Sequence, residues 1–185
     1  QGIGETTILG GFRIENLQNI TLKQMTLTNT NGSGILMQGA QVELVDVATI
    51  DCNNSGIYVI NIASGASQLV ATRCKMSNNG GSGLCIFNSN NTISPNVCLK
   101  NCISHHNSTS GIFVGGNGVV NIHGDVTALH SNGSYGIFAN DSAKIVIHLP
   151  SHHITSYNNT DGERNTGSGG TITNVEDEVT KHRTF

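Results

Sequence analysis

Apolar residues in this chain come in short runs at every second position, and almost none recur at the three-to-four spacing of a helix. That alternation predicts β-strands buried on one face. Between the runs one phrase is written five times: a cluster of Asn, Ser and Gly, then Gly followed by Ile or Leu, then an apolar residue two positions on. The instances are Asn31-Gly-Ser-Gly-Ile35, Asn53-Asn-Ser-Gly-Ile57, Asn79-Gly-Gly-Ser-Gly-Leu84, Asn107-Ser-Thr-Ser-Gly-Ile112 and Asn132-Gly-Ser-Tyr-Gly-Ile137. Their glycines Gly34, Gly56, Gly83, Gly111 and Gly136 are 22, 27, 28 and 25 residues apart. A period of this length marks stacked units, none able to bury its apolar face alone.

Alignment on the Gly-Ile pair predicts columns of inward side chains. Ile35, Ile57, Leu84, Ile112 and Ile137 form the first, and Met37, Val59, Ile86, Val114 and Ala139 the next. A second strand supplies pairs from Ile20/Leu22 and Val42/Leu44 to Ile145/Ile147, and a third begins at Met25, Val47, Cys74, Cys102 and Val126. Three short strands per turn describe an all-β, three-sided parallel solenoid of about seven coils, rising about 4.8 Å per coil. Asn29 or Asn31, Asn53, Asn79, Asn107 and Asn132 then stack at one corner, where Asn tolerates left-handed backbone and bonds its neighbours. Residues 1–175 are expected to form one domain, truncated at its N-terminal end, with 176–185 a C-terminal tail. Residues 88–96 and 161–170 lengthen their coils and are expected to be surface excursions.

Composition narrows the function classes. A chain of 185 residues with 23 glycines, 11% charged residues and a net charge of −3 has no Lys/Arg cluster to neutralise phosphates, so nucleic acid is not an expected partner. No apolar run is long enough to span a membrane. The chain opens at Gln1 without a leader pattern, which reads as a piece of something longer. Five cysteines without CxxC spacing argue against zinc. No metal and no cofactor is expected, and His148, His152 and His153 around Pro150 lack ligand spacing. Eight Asn-x-Ser/Thr sequons, from Asn19 to Asn158, are what tight turns use anyway.

The coil length, the Asn corner and the alternating Val/Ile strands over residues 8–175 resemble the pectin-lyase-like right-handed parallel β-helix superfamily. The resemblance implies that fold strongly and a function weakly. It implies polysaccharide as the partner class and an extracellular, cell-surface or virion location. The catalytic signatures of that superfamily are not matched. Ile122-His-Gly-Asp125 is not the Gly-His-Gly segment of polygalacturonases, and Tyr135-Gly-Ile-Phe-Ala-Asn-Asp141 shares only its first three residues with the epimerase stretch.

Three groups of outward residues are candidate sites. The position between the two inward residues of the Gly-Ile strand reads Arg13, Leu36, Tyr58, Cys85, Phe113 and Phe138, with Ile60 and Phe87 one step along. Water-facing positions should be polar, so an apolar column marks an interface. It suits a homo-oligomer joined through Leu36, Tyr58, Phe113 and Phe138, a sugar platform of Tyr58, Phe87, Phe113 and Phe138, or cover by the chain's own tail. A second column, Gln24, Asp46, Arg73, Asn101 and Asp125, places Asp46 beside Arg73 with Lys75 next to them. Such a group can hold a uronate or take an acidic sugar proton, or be a plain surface ion pair.

The third group is histidine, since all eight lie after residue 104. His105 and His130 fall in the column of Asp51 and Ser77, with His106 alongside. Acid–base work needs a carboxylate in reach, but Asp51 and His105 stand two rises apart, roughly 9–10 Å. Inside the coil, Cys74 and Cys102 stack as small apolar residues, near enough for a disulfide but with side-chain directions that do not favour one. Two function classes follow. One is a structural or adhesive segment of a surface, spike or fibre protein that engages carbohydrate or self-associates through the apolar column. The other is a polysaccharide lyase, hydrolase or epimerase with Asp46, Arg73, Lys75 and His105 as its catalytic groups.

Overall fold

A computed structural model describes residues 6–61, 65–88, 93–148 and 155–175. Every strand pair in it is parallel. The first wall is a seven-stranded sheet: Phe12–Glu15, Ile35–Gln38, Ile57–Asn61, Leu84–Asn88, Ile112–Gly115, Tyr135–Ala139 and Gly162–Thr166. The second and third walls form one bent twelve-stranded sheet. Strands Ile20–Thr28 and Gln41–Ile50 run through the bend without a break, contributing to both walls. Higher up, Gln68–Thr72, Asn96–Lys100, Val119–His123, Lys144–His148 and Thr171–Val175 continue the second wall. Lys75–Ser77, Ile103–His105, Ala128–His130 and Ser156–Tyr157 continue the third. Thr6–Leu9 lies below it, paired with Ile20–Thr28.

One residue makes the bend between the second and third walls. Gln24, Asp46, Arg73 and Asn101 all have φ between 52° and 54°, a left-handed kink that turns the chain while its hydrogen bonds continue. Lys100 pairs with His123, so the next residue in this column is Gly124, at φ 95°, and not Asp125. A β-carbon on Gly124 would collide with the Asn101 side chain.

The core is the stack of inward columns. Ile35, Ile57, Leu84, Ile112 and Ile137 are at most 1% exposed, and each fully buried side chain of this size contributes about 1.5–3 kcal/mol. The third-strand column holds for Met25, Val47, Cys74 and Cys102, but Val126 is 59% exposed. Gly124–Asp125–Val126 make an enlarged corner, and Thr127 enters the core instead, its hydroxyl donating to the His123 carbonyl at 2.6 Å. All five cysteines are free.

Six residues always separate the third wall from the Gly-Ile column, as from Ile50 to Ile57 and from His105 to Ile112. An asparagine ladder fills this corner. Asn79, Asn107 and Asn132 each pass a side-chain N–H to the Oδ1 of the next Asn, ending at Asn159, at 2.8, 3.0 and 2.9 Å. Each of the four also bonds a backbone carbonyl of the coil below. Asn53 is exposed and outside the ladder; the buried Cys52 takes its rung, its thiol against the Leu27 carbonyl at 3.8 Å. The repeated glycines follow from this packing. Their φ values are ordinary, but a β-carbon on Gly56, Gly83 or Gly111 would lie 2.7–2.9 Å from the carbonyl of the next such glycine and 2.9–3.0 Å from a ladder amide. Residues 161–170, expected as an excursion, instead contain the first-wall strand Gly162–Thr166. The insert at 88–96 is described only at its ends, where Asn61 and Asn88 both donate to the Ile93 carbonyl.

Candidate functional site

On the outside of the first wall the register brings Arg13, Leu36, Tyr58, Cys85, Phe113 and Phe138 into one column, one residue per coil. Asn165 continues it above Phe138. Glu15, Gln38, Ile60, Phe87 and Gly115 form the neighbouring column. From Leu36 to Phe138 every member of the first column is half-buried and none is charged. Phe113 and Phe138 pack edge to face, ring centres 5.4 Å apart and planes at 71°. Tyr135 tilts against Phe138 at the same distance. Burial raises the Tyr58 hydroxyl above its ordinary pKa and pushes the Cys85 thiol up to about 11, so both stay neutral at physiological pH. Phe87 is 43% exposed, the most open aromatic ring of the wall.

The polar candidates separate into two groups. At the bend, Arg73 grips Asp46 through both guanidinium arms, Nε to Oδ1 at 2.7 Å and Nη2 to Oδ2 at 2.8 Å. This two-armed hydrogen bond holds the Asp46 carboxyl below its usual range. Lys75 does not join them. It stands on the third wall between Ala48 and Ile103, and its charge acts on His105.

The third-wall column before the ladder corner reads Ile50, Ser77, His105, His130 and Tyr157. Ile50 occupies the place expected for Asp51, which sits one residue on, in a left-handed corner column with Asn78, His106, Ser131 and Asn158. His105 and His130 stack at 5.0 Å with planes 1° apart, and His130 and Tyr157 at 4.8 Å and 11°. The coil rise sets those spacings. His106 turns across the stack, its Nδ1 2.7 Å from Nδ1 of His105. Burial, then the charges of Lys75, His130 and His106, push the His105 pKa down to about 4, and burial lowers His130 as well. Sequence reading placed His105 and His130 together but missed Tyr157, whose coil lacks the Gly-Ile phrase. It also missed His123 and His148, stacked at 3.8 Å on the second wall. His152 and His153 lie outside the described residues.

Among the described residues, no three His, Cys, Asp or Glu side chains are placed to hold a metal ion. Nor is any helix among them long and apolar enough to cross a membrane. A family model described as right handed beta helix region matches residues 8–161. No curated protein and no solved structure matches the chain.

Proposed function

The chain belongs to the right-handed β-helix family, and on that scaffold we propose a structural segment of a surface, spike or fibre protein that self-associates through the apolar column of its first wall. One observation carries this reading: five uncharged side chains from Leu36 to Phe138 stand in register on five successive coils of an outer surface. Contiguous apolar surface of that kind marks contact with another body. Burying a Phe at such a contact contributes about 1.5–3 kcal/mol by area alone. A sugar ring stacks best on an open aromatic face, whereas Phe113 and Phe138 present a closed edge-to-face pair. This packing favours protein over glycan as the occupant, with Tyr58 and the more open Phe87 as the glycan alternative.

The enzymatic alternative has less support. Asp46 has both carboxylate oxygens engaged by Arg73 and its carboxyl pKa held low, which suits a clamp better than a general base. His105 is hydrogen-bonded to His106, with no carboxylate in that pair to orient it. The location that fits the structural reading is outside the cell or on a virion. The test is the double substitution Phe113→Ser and Phe138→Ser, which leaves the inward columns untouched. A fall in sedimenting mass supports self-association. Unchanged mass with weakened binding to acidic polysaccharides supports the glycan alternative. Neither change discards both.

A further inference from the structure

The imidazole stack on the third wall gathers three histidines, and the reading above does not use it. Its rings pile along the long axis, so their edges, which carry the nitrogens, face sideways and outward. His106 is swung across the stack by its left-handed backbone and shares one hydrogen bond with His105 through two Nδ1 atoms. Only one proton can sit between them, so one imidazole of the neutral pair donates and the other accepts. The coil below supplies Lys75 and Ser77. The coils above supply His130, the Ser131 hydroxyl at 3.1 Å from His130 Nδ1, and Tyr157. Asp51 shares the His106 corner column, two coils lower.

Each charge that acts on His105, from Lys75, His130 and His106, is positive when present. The ion pairs of the described residues lie elsewhere, between Arg13 and Glu15 and between Arg73 and Asp46. Among the described residues, a permanent ammonium and three protonatable rings are therefore gathered with no ion pair to a carboxylate. His105 and His130 take up protons reluctantly by themselves and readily beside an anion, because each charged hydrogen bond to an oxyanion favours the protonated ring.

We propose that Lys75, His105, His106 and His130 form an oxyanion site that binds a carboxylate, sulfate or phosphate group together with protons. The ammonium provides the standing attraction. The His105–His106 hydrogen bond opens when the second proton arrives, freeing two N–H donors for the ligand. His130 adds a third donor one coil up. Binding and protonation then strengthen each other by linkage. An acidic group free in solution and one carried by a polysaccharide satisfy this chemistry alike.

The experiment follows the histidine ring signals by NMR across a pH titration, with chloride alone, with sulfate, and with a galacturonate oligomer at matched ionic strength. The expected result is a rise in the His105 and His130 midpoints of about half a unit or more with sulfate or the oligomer over chloride. Affinity should then be tighter near pH 5 than near pH 7, because the bound state holds more protons. A larger rise with the oligomer points to a polysaccharide, and equal rises to a free oxyanion. Lys75→Gln, an outward change that leaves the core intact, should weaken binding at both pH values. His105→Gln should reduce the pH dependence. Midpoints that move equally in chloride, or a sulfate response unchanged in Lys75→Gln, overturn the proposal.

Discussion

Asn107 donates its side-chain N–H to Oδ1 of Asn132 at 3.0 Å while its own Oδ1 accepts from Asn79 at 2.8 Å. The same amide group reaches Ser104 Oγ at 3.1 Å and the Met76 carbonyl at 3.2 Å. One buried side chain thus ties three coils. Asn107→Ala leaves several of these partners unmatched away from water, and we expect a loss of about 2–3 kcal/mol in urea unfolding at constant slope. Asn53→Ala, at an exposed neighbouring position, should stay within about 0.5 kcal/mol. Equal losses for the two would argue against the ladder as a stabilising device.

Gly83→Ala tests the close approach at the same corner. The added methyl would lie 2.9 Å from the Gly111 carbonyl and 3.0 Å from the Asn107 amide, closer than real contacts allow. Overpacking of this kind costs about 1–3 kcal/mol, so the melting temperature should fall. Gly32→Ala meets only the Asn29 amide at 3.3 Å and should be nearly silent.

Stability should decline in mildly acidic solution through the imidazole stack. His105 titrates near 4 when folded and near 6.5 when unfolded. Above about pH 6.5 it is neutral in both states and has no effect. Between there and about pH 4 the unfolded chain takes a proton that the folded chain refuses, so stability falls as the pH is lowered. His130 acts in the same sense. Asp46, held low by Arg73, adds its own loss only at lower pH, as its carboxyl is protonated. The urea midpoint of His105→Gln should change less between pH 7 and pH 5 than that of the parent. An identical pH profile would contradict the assignment.

Thiol labelling should sort the cysteines by depth. Cys52, Cys74 and Cys102 are at most 2% exposed, and Cys102 is held protonated by its hydrogen bond to Cys74 and by burial. Cys85 is pushed up to about 11. Cys98 sits partly open on the second wall, its pKa raised by burial. Mass spectrometry after brief alkylation should find Cys98 modified first, and Cys52, Cys74 and Cys102 only after unfolding. Early modification of Cys74 or Cys102 would mean that the coil opens locally.

The fold was readable because the Gly-Ile phrase fixes the phase of every coil at one corner. From Ile35 to Ile137 the spacing back to the third wall never changes, so counting from the phrase lands on the right side chains. Errors arose where counting ran across a corner of variable size. Val126 lies four residues past Ile122 across an enlarged bend and falls outside the core; Asp125 stands one residue beyond the bend column for the same reason. Cys52 could not be seen as a rung, because nothing about a cysteine announces that its thiol can stand in for an amide. Tyr157 was missed because its coil continues Gly162-Glu163-Arg164, placing Arg164 above Ile137 where an apolar residue was expected. The outer chemistry was legible as membership of columns. Which polar neighbours touch depends on side-chain reach, and that separated Lys75 from Asp46 and Arg73.

The corner of constant length has a consequence for how such a chain can change. Opposite the ladder, between the first and second walls, the connections vary from two residues after Gln38 to seven after Asn88. One edge of the prism therefore keeps time while the other absorbs slack. A peptide grafted near Asn117 lengthens a seam that already differs from coil to coil, and every strand keeps its facing. A single residue added between Asn107 and Gly111 has nowhere to go: the following strand would present Phe113 to the core and Ile112 to water. New surface can be written along one edge of this molecule at little risk to the fold, and the other edge is closed to editing.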